Sequence, residues 1–471
     1  MCTSVECVSC IICKILSLHC AIWLSLHNSS LFPLRLSFAN PFFLKVDRHG
    51  AYSTPPHAKL AYGTMVVVRA GLVAGASLAL GTAATIGIRY AAVRRQGFVS
   101  GNSGPETQIL DYRMQQYRLF PHLASVFALH CTGRWMLSMY DALSRAMAEG
   151  DLSLLAEVHA TSSGLKSLTT DIASAGIEDI RRACGGHGYL VASGLVSLYG
   201  DYVQGVTVEG DNYLLHQQTV RYLLKAYERG RKSQGKSQGQ TVPKPNSFST
   251  VDYLGEVDRV LAERCGARDE EAFLNANVLV AAYAHRAALL VHETAEHLAE
   301  SLSVRGRSPS EAWNDALVCV SAASRAHCMY AIVRTFRDTV RDARANGTLS
   351  GAHLDVLDRL VSLFALSGIE RDLGDFTRDG YIDAQQVRAL KRATLRTLEA
   401  VRPDAVALVD ALNLSDFELN SALGVHSGNV YEAVMEWAGR SPLNKEPVHK
   451  ATYEKYIKPM IHQTGPFAAK L

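Results

Sequence analysis

Two short stretches of this 471-residue chain combine residue types that suit chemistry. Glu209 follows a short apolar run and comes directly before Gly210. A carboxylate in dry surroundings can act as a general base, because burial raises its basicity, and such catalysis contributes on the order of 10²–10⁴ in rate. Upstream, Gly185, Gly186 and Gly188 suit a turn whose backbone approaches a phosphate closely, since each lacks Cβ and can take a positive φ.

The same residues have purely structural alternatives. Glu209 could be a helix-start residue, because acidic side chains favour the amino-terminal end of the helix dipole. The glycines could cap the end of a helix that contains Ile177 and Ile180. Capping and phosphate binding are compatible at one turn, so the glycines allow both interpretations.

Helical periodicity surrounds both stretches. Apolar residues recur mostly at helical spacing from about residue 60 to 225, with breaks at 97–105 and 185–186. Strand-like alternation is scarce, and no nucleotide-binding βαβ unit is found. A second helical pattern continues to about residue 461. Its clearest helix carries six residues at i+3/i+4 spacing, namely Leu279, Tyr283, Ala287, Leu290, Thr294 and Leu298.

The sequence therefore predicts a mainly α protein with two helical bundles joined by a flexible linker. The linker is placed where the chain is polar, basic and rich in Gly, Ser and Gln, without an apolar stripe. The predicted segments are an atypical leader at 1–44, a first helical domain at 45–228, the linker at 229–262, a second helical domain at 263–468, and a carboxyl-terminal tripeptide at 469–471.

Composition excludes some function classes. The 48 basic and 45 acidic residues nearly cancel, so no broad charge favours nucleic acid or an anionic membrane. Residues 70–88 lack charge but are rich in Gly, Ala and Thr, which predicts a buried helix and no membrane span. Residues 8–26 are largely apolar, but Lys14 interrupts them and no basic segment precedes them, unlike a signal peptide.

No metal site is predicted from the cysteines. Cys7, Cys10 and Cys13 have the spacing of a zinc knuckle, but no second pair matches them. The scattered cysteines are typical of reduced core thiols; they are Cys131, Cys184, Cys265, Cys319 and Cys328.

Two further segments resemble metal motifs only superficially. Residues 375–383 have the pattern of a calcium loop, but position twelve is Gln386 and Arg378 adds a positive charge, so a turn between helices is predicted. His292 and His297 are five residues apart, which puts them on different faces of a helix and favours a solvated face.

Four ordered segments resemble the peroxisomal acyl-CoA oxidases, a flavoprotein family. They are 55–65, 88–96, 184–189 and 207–212, and the resemblance extends from about Lys45 to the carboxyl terminus. It implies an FAD cofactor, and as substrates a fatty acyl-CoA and molecular oxygen. The products would be a trans-2-enoyl-CoA and hydrogen peroxide.

The resemblance also assigns roles to residues. Glu209 matches the family glutamate that removes the α-proton of the acyl thioester. Arg94 matches an arginine that contacts the flavin pyrophosphate, a task that suits a guanidinium fork; its alternative is a solvated helix end. The turn at Gly185, Gly186 and Gly188 would reach a flavin bound mainly by the partner subunit, which implies a homodimer, and Gly210 is also assigned to the cofactor.

The carboxyl terminus indicates a compartment. The last three residues, Ala469, Lys470 and Leu471, are a close variant of the Ser-Lys-Leu tripeptide that the peroxisomal import receptor binds. A peroxisomal location is therefore predicted, with that receptor as a partner.

The chain departs from the family pattern in three places. Gly97 precedes Phe98, where relatives have the reverse order, and Arg113, beside Tyr112, replaces a glutamine. Complete members also carry an amino-terminal helical domain and a central β-barrel, for which residues 1–44 are too short. Two alternatives follow: a truncated noncatalytic relative that dimerises or associates with a full-length oxidase, and a mitochondrial dehydrogenase that passes electrons to another flavoprotein.

Overall fold

A computed structural model gives the fold of most of the chain. The predictions for residues 1–44 and 469–471 lie outside the residues that it describes. The described residues are 45–46, 49–53, 63–98, 104–234, 248–445 and 451–462.

The predicted mainly α class is confirmed. Within the described residues, the only strands are β1 (Lys45–Val46) and β2 (Tyr52–Ser53), a two-residue antiparallel pair. The other regular elements are helical, as the periodicity predicts.

The first bundle is built on three long helices that pack against one another, α1, α2 and α3, and α5 packs against α3. Short 3₁₀ turns at Gly185–Tyr189, Val191–Ser193 and Val203–Val206 connect α3 to α4 and α4 to the loop before α5. The helices are α1 (Gly63–Val93), α2 (Arg113–Ala148), α3 (Leu155–Ala183), α4 (Leu195–Tyr202) and α5 (Asn212–Gln234).

The second bundle begins with α6 and has α7, α9, α10 and α12 as its long helices. The six residues at i+3/i+4 spacing lie on α7, where all but Leu298 are buried, so that helix is confirmed. The helices are α6 (Val257–Ala262), α7 (Ala276–Ser303), α8 (Pro309–Asp315), α9 (Leu317–Ala345), α10 (Gly351–Arg371), α11 (Leu373–Thr377), α12 (Ala384–Val401), α13 (Ala405–Asp410), α14 (Asp416–Leu419), α15 (Val430–Arg440) and α16 (Lys458–Ile461).

The two bundles share one continuous apolar core, with α2 against α9, α10 and α12, and α5 against α9. Helix also occupies both ends of the predicted linker. α5 continues to Gln234, and Asp252–Glu256 forms a 3₁₀ turn that packs on α5. Tyr253 and Leu254 are buried there. Their apolar side chains favour burial, unlike the polar residues on which the linker prediction is based. Residues 235–247 lie outside the described residues.

Helix α1 is the most apolar of the long helices. Met65–Val93 has the length and hydropathy of a membrane-crossing helix, as does the bent pair of α8 and α9 taken together, within the described part of the chain. In this fold, α1 is a core helix whose inner side chains pack against α2 and α3, in agreement with the predicted buried helix.

The carboxylates of the calcium-like segment are all engaged by protein groups. Asp375 accepts two hydrogen bonds from Arg286, and Asp379 lies 2.6 Å from His285 Nε2. Asp383 caps α12 in a capping box with Gln386. The predicted turn between helices is confirmed. No group of three or more His, Cys, Asp or Glu residues in the described ranges is arranged to hold a metal.

The face of α7 that carries His292 differs from the prediction. The face is partly a helix contact, because His292 Nδ1 lies 2.8 Å from the hydroxyl of Tyr227 on α5. The predicted solvent exposure therefore holds for Glu296, but His292 is partly buried.

Two glycines test the packing of α1. A Cβ at Gly133 on α2 would lie 2.6 Å from Cα of Ala74, whereas a Cβ at the exposed Gly75 would meet nothing within 4 Å. We expect Gly133→Ala to lower the free energy of unfolding by about 1–3 kcal/mol, because α1 must move away. Gly75→Ala should raise it by about 0.5–1 kcal/mol through helix propensity. Urea denaturation measures both, and equal effects would contradict the close approach.

Candidate active site and cofactor cavity

Glu209 has an unusual backbone conformation. It lies between the Val203–Val206 turn and α5, with φ = 57°. Among the described non-glycine residues, only Asn413 and Asn420 share a positive φ, and asparagine tolerates that region better than glutamate. The surrounding structure must therefore hold Glu209 in place.

Two buried cations hold the loop through its backbone. Arg69, only 1% exposed, donates from Nε and Nη2 to the Glu209 carbonyl oxygen at 3.1 and 2.9 Å. Lys166, fully buried on α3, donates from Nζ to the Gly210 carbonyl oxygen at 2.8 Å and to Asn212 Oδ1 at 2.9 Å. Two consecutive carbonyls are thus satisfied by two charged donors.

Asn212 extends this network into the second bundle. Its side-chain nitrogen, Nδ2, donates to the Ser167 carbonyl at 3.0 Å, to Thr170 Oγ1 at 3.0 Å and to Asp171 Oδ1 at 2.7 Å. Asp171 in turn accepts from Arg325 on α9 at 2.7 Å. The start of α5 is therefore fixed from both α3 and α9.

The Glu209 carboxylate remains available for chemistry. Its side chain is half-buried, and no hydrogen bond or ion pair reaches the carboxylate from the described part of the chain. Arg69 and Lys166 bind backbone oxygens instead, so neither cation neutralises it through direct contact. This arrangement suits a general base.

Sequence reasoning identified Glu209 but missed Arg69, Lys166 and Asn212. A signal was present for the two cations, since each lies among apolar or small residues in the sequence of its helix. A charged residue at a core position needs a partner, but the partner's identity depends on packing.

A cavity of about 950 Å³ lies between the end of α1, the start of α2 and the turn that follows α3. The structure brings Arg94, Gly185 and Gly186 together on its wall, with Tyr90 and His187 beside them. The described residues that line it do not include Gly188, Glu209 or Gly210.

The glycines of the turn have two distinct roles. Gly185 has φ = 62° and follows the last residues of α3, as a helix-ending glycine should. A Cβ on Gly185 or Gly186 would meet nothing within 4 Å, so both are open to the cavity. Gly188 is buried, and a Cβ there would lie 2.0 Å from the Arg181 carbonyl oxygen. Close packing on α3 thus accounts for Gly188.

Arg94 carries an uncompensated charge at the cavity. It donates to the Tyr431 hydroxyl at 3.2 Å and to Gln96 Oε1 at 3.4 Å, both neutral groups, and the described residues give it no ion pair. Arg118, which also lines the cavity, is instead paired with Asp179. Hydrogen bonding, first from His122, lowers the pKa of Asp179 to about 2 and keeps it ionised. Arg94 is therefore the stronger candidate for an anion.

Tyr90 and His187 form a polar pair beside Arg94. The Tyr90 hydroxyl lies 2.8 Å from His187 Nδ1, and the His187 ring meets the Tyr431 ring edge-on. Burial raises the pKa of Tyr90 to about 12, so its hydroxyl stays protonated and can donate to the histidine. This hydrogen bond fixes the position of the His187 side chain, which comes directly after Gly186 in the sequence.

The two substituted positions near the cavity have clear structural consequences. Gly97 has φ = 67°, and a Cβ there would lie 3.0 Å from the hydroxyl of Tyr112, which donates to the Gln96 carbonyl at 2.8 Å. The bend therefore favours glycine at this position. Arg113 does not line the cavity, because it pairs with Glu399 on α12 at 3.2 Å.

The cavity and the Glu209 loop lie at different places along α3. Lys166, which holds the loop, and Ala183, which lines the cavity, are 17 residues apart on that helix (183 − 166). The separation is about 25 Å along the helix axis. We refer to the Glu209 loop and the cavity as the two candidate half-sites.

Comparisons with known proteins identify one family along most of the chain. The family model described as "Acyl-CoA oxidase, C-alpha1 domain" matches residues 62–224, and the model described as "Acyl-CoA oxidase" matches residues 275–462. The chain is 40% identical over 421 residues to rat peroxisomal acyl-coenzyme A oxidase 1, which covers 89% of this chain and 61% of the rat protein. It is 38% identical to the human protein of the same name over 87% of this chain and 60% of that one.

Solved structures show the same relationship. Acyl-CoA oxidase 1 of Arabidopsis thaliana superposes with a TM-score of 0.79 at 36% identity, over 90% of this chain and 61% of the plant protein. Acyl-CoA oxidase-2 of Caenorhabditis elegans, bound with FAD, ascaroside-CoA and ATP, gives 0.77 at 33% identity, over 89% and 59%. The chain thus spans about three fifths of the length of these relatives. The chain belongs to the acyl-CoA oxidase family and carries that family's carboxyl-terminal helical domains.

Proposed function

We propose that this chain supplies the catalytic base and part of the flavin site of an FAD-dependent acyl-CoA oxidase. The reaction converts a fatty acyl-CoA and oxygen to a trans-2-enoyl-CoA and hydrogen peroxide. The observation that carries the proposal is the Glu209 loop, where buried cations hold a strained backbone while no described residue forms a hydrogen bond or ion pair with the carboxylate. A protein retains such strain where function requires it.

Glu209 would take the α-proton of the acyl thioester. The carboxylate becomes a carboxylic acid, and the electron pair of the broken C–H bond forms the new double bond as the β-hydrogen leaves with its own pair. FAD, when bound, supplies an acceptor for that hydride and passes two electrons to oxygen. Because Arg69 and Lys166 bind backbone, the carboxylate can change charge without breaking its support.

The cavity fits part of a dinucleotide cofactor. Open backbone at Gly185 and Gly186 allows a phosphate to approach closely, and Arg94 offers a guanidinium that has no carboxylate partner among the residues the structure describes. The negative charge of a pyrophosphate is complementary to the positive charge of Arg94 on this wall.

The separation of the half-sites supports a homodimer. Lys166, which contacts the loop after Glu209, and Ala183, which lines the cavity, are about 25 Å apart along α3, so we assign the two halves of one site to different chains. Each active site would then combine Glu209 of one chain with the cavity of another. Association with a full-length oxidase would likewise bring Glu209 of one chain next to the cofactor cavity of another.

We also place the protein in the peroxisome. The rat and human relatives carry peroxisomal names, and the carboxyl-terminal Ala-Lys-Leu is the proposed address for the import receptor. Residues 45–228 and 263–468 remain the proposed helical domains.

The purified chain should bind FAD and react with substrate. We expect a flavin absorption band that bleaches when a fatty acyl-CoA is added without oxygen. Admission of oxygen should restore the band and release hydrogen peroxide. Absence of the band after incubation with FAD would favour the noncatalytic relative that associates with a full-length oxidase, and bleaching without reoxidation by oxygen would favour a dehydrogenase.

Two substitutions of Glu209 separate catalysis from stability. Glu209→Gln should slow bleaching by about 10²–10⁴-fold, because the base is lost, with no gain in stability because the positive φ remains. Glu209→Gly should slow bleaching equally but raise the free energy of unfolding by about 1 kcal/mol, since glycine adopts this φ without strain. Bleaching kinetics and urea denaturation are the measurements. Wild-type bleaching by either variant would exclude Glu209 as the base.

Substitution of Arg94, with its neighbour Arg95 as the control, tests cofactor binding. Arg95 donates to the Glu106 carbonyl and does not line the cavity. Arg94→Gln should weaken FAD binding about tenfold or more, because a hydrogen bond to a charged group contributes about 1.5–3 kcal/mol. Arg95→Gln should leave it within about twofold. Quenching of flavin fluorescence gives both constants, and equal losses would argue against a specific role for Arg94.

A further inference from the structure

Lys166 is a buried ammonium group in the middle of the first bundle. Its side chain is fully buried on α3, a location that costs several kcal/mol for an ion unless it is compensated. Burial, followed by the nearby charge of Arg69, lowers the pKa of Lys166 to about 8. A core position that needs only packing would hold an apolar residue, so this ammonium requires another explanation.

The hydrogen bonds of Lys166 provide that explanation. They reach the Gly210 carbonyl oxygen and Asn212 Oδ1, the residues that connect Glu209 to α5. Gly210 itself has φ = 109°, so two successive residues of the loop have positive φ. Without Lys166, the partly buried Gly210 carbonyl would lose this charged donor, and the loop could relax towards a more common conformation.

Arg69 alone does not control this geometry. It binds the Glu209 carbonyl from α1, whereas Lys166 binds the next carbonyl from α3. One anchor leaves rotation about the bonds between the two carbonyls, and two anchors on different helices remove it. The backbone conformation at Gly210, directly after Glu209, therefore depends on both.

We infer that Lys166 is a positioning residue for Glu209, which it orients by anchoring the Gly210 carbonyl and the Asn212 side chain from α3. The inference rests on the proposed function for its catalytic consequence, but the anchoring of the loop is independent of it. Lys166 does not touch substrate or flavin in this role.

The experiment compares Lys166→Met with Lys225→Met in the full chain. Lys225 is exposed on α5, so its variant makes the same chemical change without a buried bond. Hydrogen–deuterium exchange is followed in peptides covering 203–215, with those covering 184–195 as an internal reference. We expect exchange in 203–215 to rise about tenfold or more in Lys166→Met, with the reference peptides and the Lys225→Met chain unchanged.

Turnover supplies the second measurement. Lys166→Met should lower kcat about tenfold or more while KM stays within about twofold, because the base is misdirected but the binding surfaces remain. If that variant does not fold, Lys166→Gln replaces it; it keeps one neutral donor, and smaller changes of the same kind are expected.

The outcomes distinguish a failure of the Lys166 inference from a failure of the proposed function. Exchange in 203–215 within about twofold of wild type, or an equal rise across all peptides, overturns the inference. Local exchange with unchanged kcat in an active chain also overturns it. If Glu209→Gln retains turnover, the proposed function fails, and exchange alone then decides whether Lys166 anchors the loop.

Discussion

The site depends on two buried cations that bind consecutive backbone carbonyls. Arg69 and Lys166 satisfy the oxygens of Glu209 and Gly210, which lets a glutamate occupy a left-handed conformation within a helical protein. Buried charges are costly when isolated, but here each has polar partners. The cations contact backbone oxygens, and neither is seen in direct contact with the Glu209 carboxylate among the described residues.

Helix α1 connects this loop to the rest of the molecule. It carries Arg69 near its start and Arg89 near its end, and Arg94 follows it. Arg89 is buried and binds Asp410 at 2.8 Å and the Gly424 carbonyl at 2.8 Å, which attaches α1 to the end of the second bundle. A helix with the hydropathy of a membrane span is thus fixed in a protein core by arginines.

The second bundle contacts residues next to both candidate half-sites. Arg325 supports the Asn212 network through Asp171, and Arg402 binds Asp111 at 2.7 Å beside the cavity segment. These ion pairs are partly exposed, so each contributes little stability. Both pairs connect the second bundle to the first, at Asp171 on α3 and at Asp111 before α2.

The sequence by itself determined the helical class and the clearest long helix, and it also predicts Glu209 as the base and Arg94 and Gly185 as cofactor residues. These features follow from local causes, namely apolar periodicity, the conformational freedom of glycine and short motifs. Only the tertiary structure decided that Lys166 reaches the loop, that Gly188 packs on α3, that helix enters the predicted linker, and that Arg113 turns away from the cavity. Each of these depends on residues distant in sequence being brought together by helix packing, which no local pattern encodes.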